Sequence, residues 1–527
     1  MDMKRSSMAC AAALVLAALA IAAYSQPSNG VSPATMARIG TVDERYQSFN
    51  IEMVEVTGGR FWKPYGAEVA AALQARTQAG PVGMDPALYR QRAPIDLANP
   101  RLRKLAAALG PAYVRVSGTW ANSTYFQNSE EAAPVNPPAG FNGALTRRQW
   151  KGVVDFARAV DARIVTSFAS SAGTRDAAGV WTPAVARQFL AYTRSIADSI
   201  AAAEFMNEPT FAAMGGAPPG YDAAAYARDI AVFRAFVKEA APGMTILGPG
   251  SVGEGTSLVP AGMVKNQLKS EDLLSAAGPA FDAFSYHFYG AVSKRCAGAA
   301  PASGTTPEDA LSEEWLARTG RAEAFYAGLR DRFAPGKPLW VTETADAACG
   351  GNPWGSTFLD SFRYLDQLGR LARSGVQVVA HNTLAASDYG LLDENALTPR
   401  PNYWAALVWH RLMGRTVLDP GRSPAPALHL YAHCLRGQPG GVALLAINTS
   451  RGAPQWLELP AESRRYTLTA RNLEDTRVSL NGNELTLGAG DELPQLTGVP
   501  TQSGRVTFAP ASITFLAIPD ANNGSCR

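Results

Sequence analysis

The feature that most constrains this chain is a rhythm. From about residue 49 to about residue 414, short runs rich in β-branched and aromatic residues alternate with stretches whose apolar residues recur at three and four positions. The runs suit buried strands, and the stretches suit helices that bury one face. The strand candidates are Phe49–Val56, Tyr113–Gly118, Arg163–Ala169, Ala203–Pro209, Met244–Gly250, Ala283–Gly290, Pro338–Thr344 and Val376–Leu384. Between them lie helical patterns such as those around Trp150 and from Ser361 to Leu368. Eight such repeats predict an α/β chain folded as a (β/α)8 TIM barrel over 49–414. A doubly wound open sheet is the competing arrangement, but no Gly-rich phosphate turn follows the first strand.

After Gly414 the pattern changes. Short apolar runs at 427–435, 441–447, 456–459, 466–470, 477–480, 484–487, 506–508 and 513–518 are separated by Gly, Pro, Asn and Asp. Asn481-Gly482 between two of them is a hairpin signal. Residues 415–527 therefore read as an additional C-terminal all-β sandwich domain. The polar lead-in over 26–48 is expected to add a strand to it. Two stretches rich in Ala, Pro and Gly, 128–143 and 297–307, read as loops.

At the N-terminus, Lys4 and Arg5 precede an uncharged run from Ser6 to Ala23, and Ala23-Tyr24-Ser25 follows. This basic, apolar, small-residue order predicts a secretory signal peptide over 1–25. A retained anchor fits less well, because the apolar core is short and alanine-rich and no basic stop-transfer cluster follows. Cys10 opens the run instead of ending it, which argues against a lipid-modified cysteine. The expectation is a secreted or periplasmic monomer, free of the membrane once the leader is removed. A net charge of +3 with no run of like charges gives no reason to expect nucleic acid as a partner.

Removing the leader leaves Cys296, Cys349, Cys434 and Cys526. An even count in an exported chain makes disulfides plausible. Chain order favours Cys296 with Cys349 and Cys434 with Cys526; four buried thiols are the alternative. Asn122-Ser-Thr and Asn448-Thr-Ser are glycosylation sequons.

The sharpest chemical signal is Phe205-Met-Asn207-Glu208-Pro209. Proline cannot continue a central ladder, so the fourth strand is expected to stop there with Glu208 at its C-terminal rim. That rim is where TIM barrels do chemistry. Leu339-Trp-Val-Thr-Glu343-Thr344 is read as ending the seventh strand with a second glutamate at the same rim. Two rim carboxylates suit retaining glycoside hydrolysis: Glu208 protonates the leaving oxygen and Glu343 attacks the anomeric carbon, with about 5–5.5 Å between them. Either glutamate alone reads equally well as an ion-pair partner; the pair at these two strand ends does not. Asn207 is placed to bind the sugar 2-hydroxyl. His287 and Tyr289 end the sixth strand, and Tyr289 is expected to hydrogen-bond Glu343 and keep it ionised. Glu52 and Thr119 are further rim candidates. The histidines lack metal-ligand spacing and no Gly-x-Ser-x-Gly elbow appears, so neither a metal nor an organic cofactor is expected.

Several segments together resemble glycoside hydrolase family 79, the heparanase and β-glucuronidase family of the retaining clan A. They are Ser48-Phe-Asn-Ile-Glu52, Tyr113-Val-Arg-Val-Ser-Gly-Thr119, Asn207-Glu-Pro209, Tyr286-His-Phe-Tyr289, Glu343-Thr344 with Gly350-Gly351 behind it, and Asp388-Tyr-Gly-Leu-Leu-Asp-Glu-Asn395. The last continues through Pro401-Asn-Tyr-Trp404 to Leu412-Met-Gly414. The resemblance spans about 48–418, and in the C-terminal domain it extends to architecture alone. It implies that Glu208 is the acid/base, that Glu343 is the nucleophile, and that Gly350, Gly351 and Tyr389 bind the carboxylate of a uronic acid. The implied partner is a glucuronic-acid-containing oligo- or polysaccharide, cleaved at its β-glucuronide linkage. Two alternatives stand beside it: a clan A enzyme for a neutral sugar (a glucosidase, xylosidase or endoglucanase) and a non-catalytic carbohydrate-binding barrel.

Overall fold

The computed structural model describes residues 30–75, 85–255, 267–297 and 304–527. The expected leader and part of the 297–307 loop lie outside the described residues. Eight parallel strands close into a barrel: β1 (Gln47–Glu52), β2 (Ala112–Ser117), β3 (Ala162–Ser167), β4 (Ile200–Glu204), β5 (Thr245–Ser251), β6 (Ala283–Val292), β7 (Leu339–Ala348) and β8 (Val378–His381). Each strand pairs with the next, and β8 pairs back onto β1.

The alternation along the strands decides what lies inside. Tyr113, Val165, Ala202, Leu247, Ala283, Trp340 and Val378 come from seven strands yet form one buried cluster, so they plug the barrel at its N-terminal end. Val114, Val116, Ile164, Ala203, Phe284, Val341 and Val379 fall on the other face and join the core beneath the helices. One layer above the plug, the inward positions turn polar. Arg115 and Glu204 are buried there, 1% and 0% exposed, and bond one another.

Three strands end four or more residues away from the sequence reading. β1 stops at Glu52, and Met53–Thr57 forms a short helix whose N-terminus is closed by a reciprocal Glu52/Glu55 capping box. β4 stops at Glu204 and not at Pro209, so Glu208 stands four residues beyond the ladder. β7 does not end at Glu343: β6 and β7 run on as a paired ribbon to Val292 and Ala348. The Cys296–Cys349 disulfide closes that ribbon just past its end, and Cys434–Cys526 ties down the C-terminus.

The C-terminal region is a long antiparallel sheet. Its central strands are Leu428–Leu435, Val442–Asn448, Ser512–Ile518 and Ser463–Thr469. At one edge Met413–Leu418 pairs with the lead-in strand Arg38–Thr41, so this sheet begins two residues before the 415 boundary. The two-stranded ribbon Gln455–Leu459/Gly504–Phe508 covers one face. Leu430, Ala432, Leu444 and Leu516 point to that ribbon, whereas Tyr431, Leu445, Ile447 and Phe515 join the barrel's core. Burial on both faces explains why these strands read as nearly continuous apolar runs. The sheet presses on the almost wholly buried helix Phe358–Arg373, which follows β7. There His429 and Tyr431 both bond Asp366 at 2.6 Å.

Candidate active site

The barrel mouth is organised by one cation. Arg115, pointing inward from β2, donates to Glu204 (2.9 Å), to Asn207 Oδ1 (2.7 Å) and to Glu343 Oε2 (2.7 Å). A buried arginine is tolerable only when its fork is filled, and two carboxylates and an amide fill this one. Glu204 is satisfied in turn by Ser285 (2.8 Å) and Thr342 (2.7 Å). Burial alone would raise Glu204, but the Arg115 charge and its hydrogen bonds hold it far below the usual carboxylate range.

The two glutamates sit in different surroundings. Glu343 Oε1 accepts the Tyr289 hydroxyl at 2.6 Å while Arg115 holds Oε2. Burial pushes Glu343 upward, but His287, Arg115 and Tyr289 together outweigh it and lower its pKa. Glu208 bonds no arginine or lysine side chain among the described residues, and its ionisable partner is His287. Burial, with the neighbouring Glu343 charge adding to it, raises its pKa against the His287 hydrogen bond. Its side chain keeps 17% exposure where Glu343 keeps 7%, so it faces the open mouth. One oxygen of each carboxylate and a ring nitrogen of His287 all lie within 4.8 Å of one another. Such a trio could in principle bind a cation. Here the Arg115 guanidinium already supplies the positive charge that would compensate Glu343.

His287 meets two demands. Its Nε2 is 3.1 Å from Arg115 Nη2, which suits a neutral ring accepting that N–H. Glu343, Glu204 and Glu208 favour the imidazolium and push the ring up to about 9 against the cost of burial. The Nδ1–H bond to Glu208 at 3.1 Å is common to both forms, so His287 steers Glu208 either way.

Glu208 adopts a left-handed backbone (φ 48°, ψ 64°) that a side-chain-bearing residue enters at a cost. Asn122 holds the backbone of the preceding residue: its Oδ1 accepts the Asn207 N–H and its Nδ2 donates to the Asn207 carbonyl, both at 2.8 Å. The sequon asparagine is thus buried and engaged with the Glu208 segment. The second, Asn448, is also buried and donates to the carbonyls of Ala453 and Ala509. Thr119 heads the turn Thr119–Ser123 that carries Asn122.

Glu52 is 5% exposed and accepts Asn382 Nδ2 at 3.0 Å. Burial and then the Glu343 charge push its pKa well above the usual carboxylate range. Gly118 (φ 93°) leaves room for it, since a Cβ there would fall 1.7 Å from Glu52 Oε2. Asn382 also donates to Tyr289 (3.0 Å) and Tyr389 (3.2 Å), so β1, β6 and the segment after β8 meet at one amide. Gly350 and Gly351 follow β7 with φ of 83° and 87°. Gly351 lies against Tyr389: a Cβ on it would stand 3.3 Å from that residue's own Cβ. Its N–H donates to the Ala347 carbonyl at 3.2 Å.

Arg115, Glu204, Asn122 and Asn382 were not singled out from sequence. A lone arginine inside Tyr113-Val-Arg-Val and a glutamate closing Ala201-Ala-Ala-Glu204 are the available signals, since charges in barrel strands must find each other. Asn122 shows only as a sequon, which does not point to this role, and Asn382 carries no local signal.

Comparison with known proteins agrees with this geometry. Residues 91–369, more than half of the chain, match the model of the glycosyl hydrolase family 79 N-terminal domain. The chain belongs to glycosyl hydrolase family 79. Relatives include heparanase-like protein 1 of Arabidopsis thaliana, 27% identical over 82% of this chain and 86% of the relative. Heparanase of Mus musculus is 31% identical over 51% of each chain. Baicalin-β-D-glucuronidase of Scutellaria baicalensis is 30% identical over 41% of this chain and 44% of its own. Among solved structures, a 4-O-α-L-rhamnosyl-β-D-glucuronidase from Fusarium oxysporum superposes with a TM-score of 0.60 at 14% identity, covering 93% of this chain and 98% of the other. At that identity the likeness speaks for the fold. This family 79 chain is a glycoside hydrolase with a TIM barrel and a separate antiparallel β region.

Proposed function

We propose that this enzyme is a retaining β-D-glucuronidase acting on glucuronic-acid-containing glycans. The observation that carries the retaining mechanism is the opposite tuning of two carboxylates whose oxygens lie within 4.8 Å of one another. Glu343, ionised, attacks the anomeric carbon while Glu208 gives its proton to the departing glycosidic oxygen. Glu208, now a carboxylate, takes a proton from water, and that water releases the sugar from Glu343 with its configuration retained. Asn207, whose Oδ1 is committed to Arg115, has its amide N–H groups left for the sugar 2-hydroxyl.

The glucuronide preference rests on the relatives named heparanase and baicalin-β-D-glucuronidase and on the packing of Gly351 against Tyr389, which shares Asn382 with Tyr289, the partner of Glu343. With the Gly351 N–H committed to Ala347, the Gly350 N–H and the Tyr389 O–H are the donors offered to the carboxylate, glycine letting the backbone approach an anion closely. Two disulfides fit an exported enzyme, and among the described residues no helix is long and apolar enough to cross a membrane. Steady-state kinetics on p-nitrophenyl β-D-glucuronide and β-D-glucoside test the reading. Strong preference for the glucuronide is expected. Equal turnover of both would leave a retaining glycosidase for neutral sugars.

A further inference from the structure

We infer that Arg295 is a positioning residue that sets the preference for an acidic sugar, acting with the Cys296–Cys349 disulfide as a clasp on the glycine loop. This inference rests on the reading of Gly350, Gly351 and Tyr389 as the uronate site.

Arg295 lies just beyond the β6 ribbon and is 0% exposed. Its Nη1 donates to the carbonyls of Cys349 (3.1 Å) and Gly351 (3.2 Å). Its Nη2 bonds the Asp388 carboxylate and the Lys63 carbonyl. The Tyr65 ring covers its charge at 3.9 Å. One guanidinium therefore touches the loop that carries the glycines and the residue next to Tyr389. The two segments are joined directly as well, because the Gly350 carbonyl accepts from Ser387 Oγ (2.8 Å) and the Asp388 N–H (3.2 Å).

The consequence is orientational. A trans peptide sends its C=O and N–H to opposite sides. With the Cys349 carbonyl drawn to Arg295 and to Ser293 Oγ (2.9 Å), the Gly350 N–H is turned away from them. Cys349, Gly350 and Gly351 all have positive φ (64°, 83° and 87°), a run that would not hold this shape unaided. The disulfide pins its first residue to the neighbour of Arg295. Asp388 neutralises Arg295, so the guanidinium acts here through the peptides it orients and not as a bare charge for the substrate. Gly350 cannot be replaced without moving the clasp, since a Cβ there would meet Arg295 Nη1 at 2.8 Å and Trp62 Cβ at 2.9 Å.

The test is the ratio of kcat/KM for p-nitrophenyl β-D-glucuronide to that for the β-D-glucoside. Arg295→Met should lower the glucuronide value by about 10- to 100-fold, the scale of a donor displaced by about an ångström. The effect should fall mainly on KM, and the glucoside value should change less than about threefold. Arg295→Lys, which keeps the charge but loses the fork, should restore little of the ratio. A disulfide arm needs no change at Arg295. In the Cys434→Ser/Cys526→Ser variant, one bridge remains reducible. Mild phosphine reduction should lower the glucuronide rate alone, and reoxidation should return it. Parallel loss on both sugars, or an unchanged ratio in Arg295→Met or after reduction, overturns the clasp. An unmodified enzyme indifferent to the two sugars overturns the uronate reading itself, and the clasp with it.

Discussion

Replacing Tyr289 by Phe removes one oxygen from a fully buried site and tests how Glu343 is kept ionised. The lost contact is a 2.6 Å bond from a phenol to Glu343 Oε1. A hydrogen bond to a charged acceptor contributes about 1.5–3 kcal/mol. The other oxygen keeps Arg115 at 2.7 Å, so the carboxylate stays in place but is less well stabilised. Asn382 loses an acceptor yet retains Glu52 at 3.0 Å, which limits collateral damage. Converted to rate, the loss corresponds to roughly a 10- to 150-fold fall in kcat/KM. The pH profile should move as well. Tyr289 is one of the groups lowering the Glu343 pKa, so removing it raises that pKa. The nucleophile must be ionised to react, and the acidic limb of kcat/KM should therefore shift to higher pH. The assay is kcat/KM on an aryl glucuronide from pH 3 to 9. A fall of less than about twofold, or an acidic limb that stays still or moves down, would refute the reasoning.

Two further outcomes follow from buried polar groups. Asn122→Ala strips the partners from both backbone groups of Asn207 and should lower kcat by about tenfold or more with KM nearly constant, because the loss falls on the placement of Glu208; a change confined to KM would contradict it. Asp346 is pushed up to about 7 from 3.8 by burial and the Asp360 charge, against Arg363. The folded state therefore keeps a proton that the unfolded chain releases, and stability should decline from about pH 4 to about pH 7 by as much as about 1.4 kcal/mol per pH unit from this group. Asp346→Asn should flatten that decline in denaturant midpoints, and an unaltered slope would contradict it.

What could be read from the sequence was whatever leaves a local pattern. The barrel was legible because its outward positions alternate with inward ones and its helices bury one face. Asn481-Gly482 marked a hairpin, and both residues do adopt positive φ (51° and 86°). The ends of β4 and β7 were misread because a strand's last ladder bond depends on its neighbours: β4 loses its partners at Glu204, whereas β7 keeps β6 beside it as far as Ala348. The polar layer around Arg115 escaped for a similar reason. Arg115, Glu204, Asn207 and Glu343 lie on three strands and a loop, and only closure of the barrel brings them within hydrogen-bond distance. Asn122 was legible as a sequon, a motif that its burial makes irrelevant.

The central claim is that Glu343 becomes covalently attached to the sugar while Glu208 handles the proton. A 2-deoxy-2-fluoro-β-D-glucuronyl fluoride slows the second step of a retaining enzyme more than the first and should trap the intermediate. Peptide mapping by mass spectrometry should then find one adduct, on Glu343 within the segment Leu339–Ala348. Glu343→Gln should give no adduct and no turnover, whereas Glu208→Ala should still be labelled, because fluoride leaves without a proton. A label on Glu208, on Glu52 or elsewhere, or appreciable turnover by Glu343→Gln, would contradict the account.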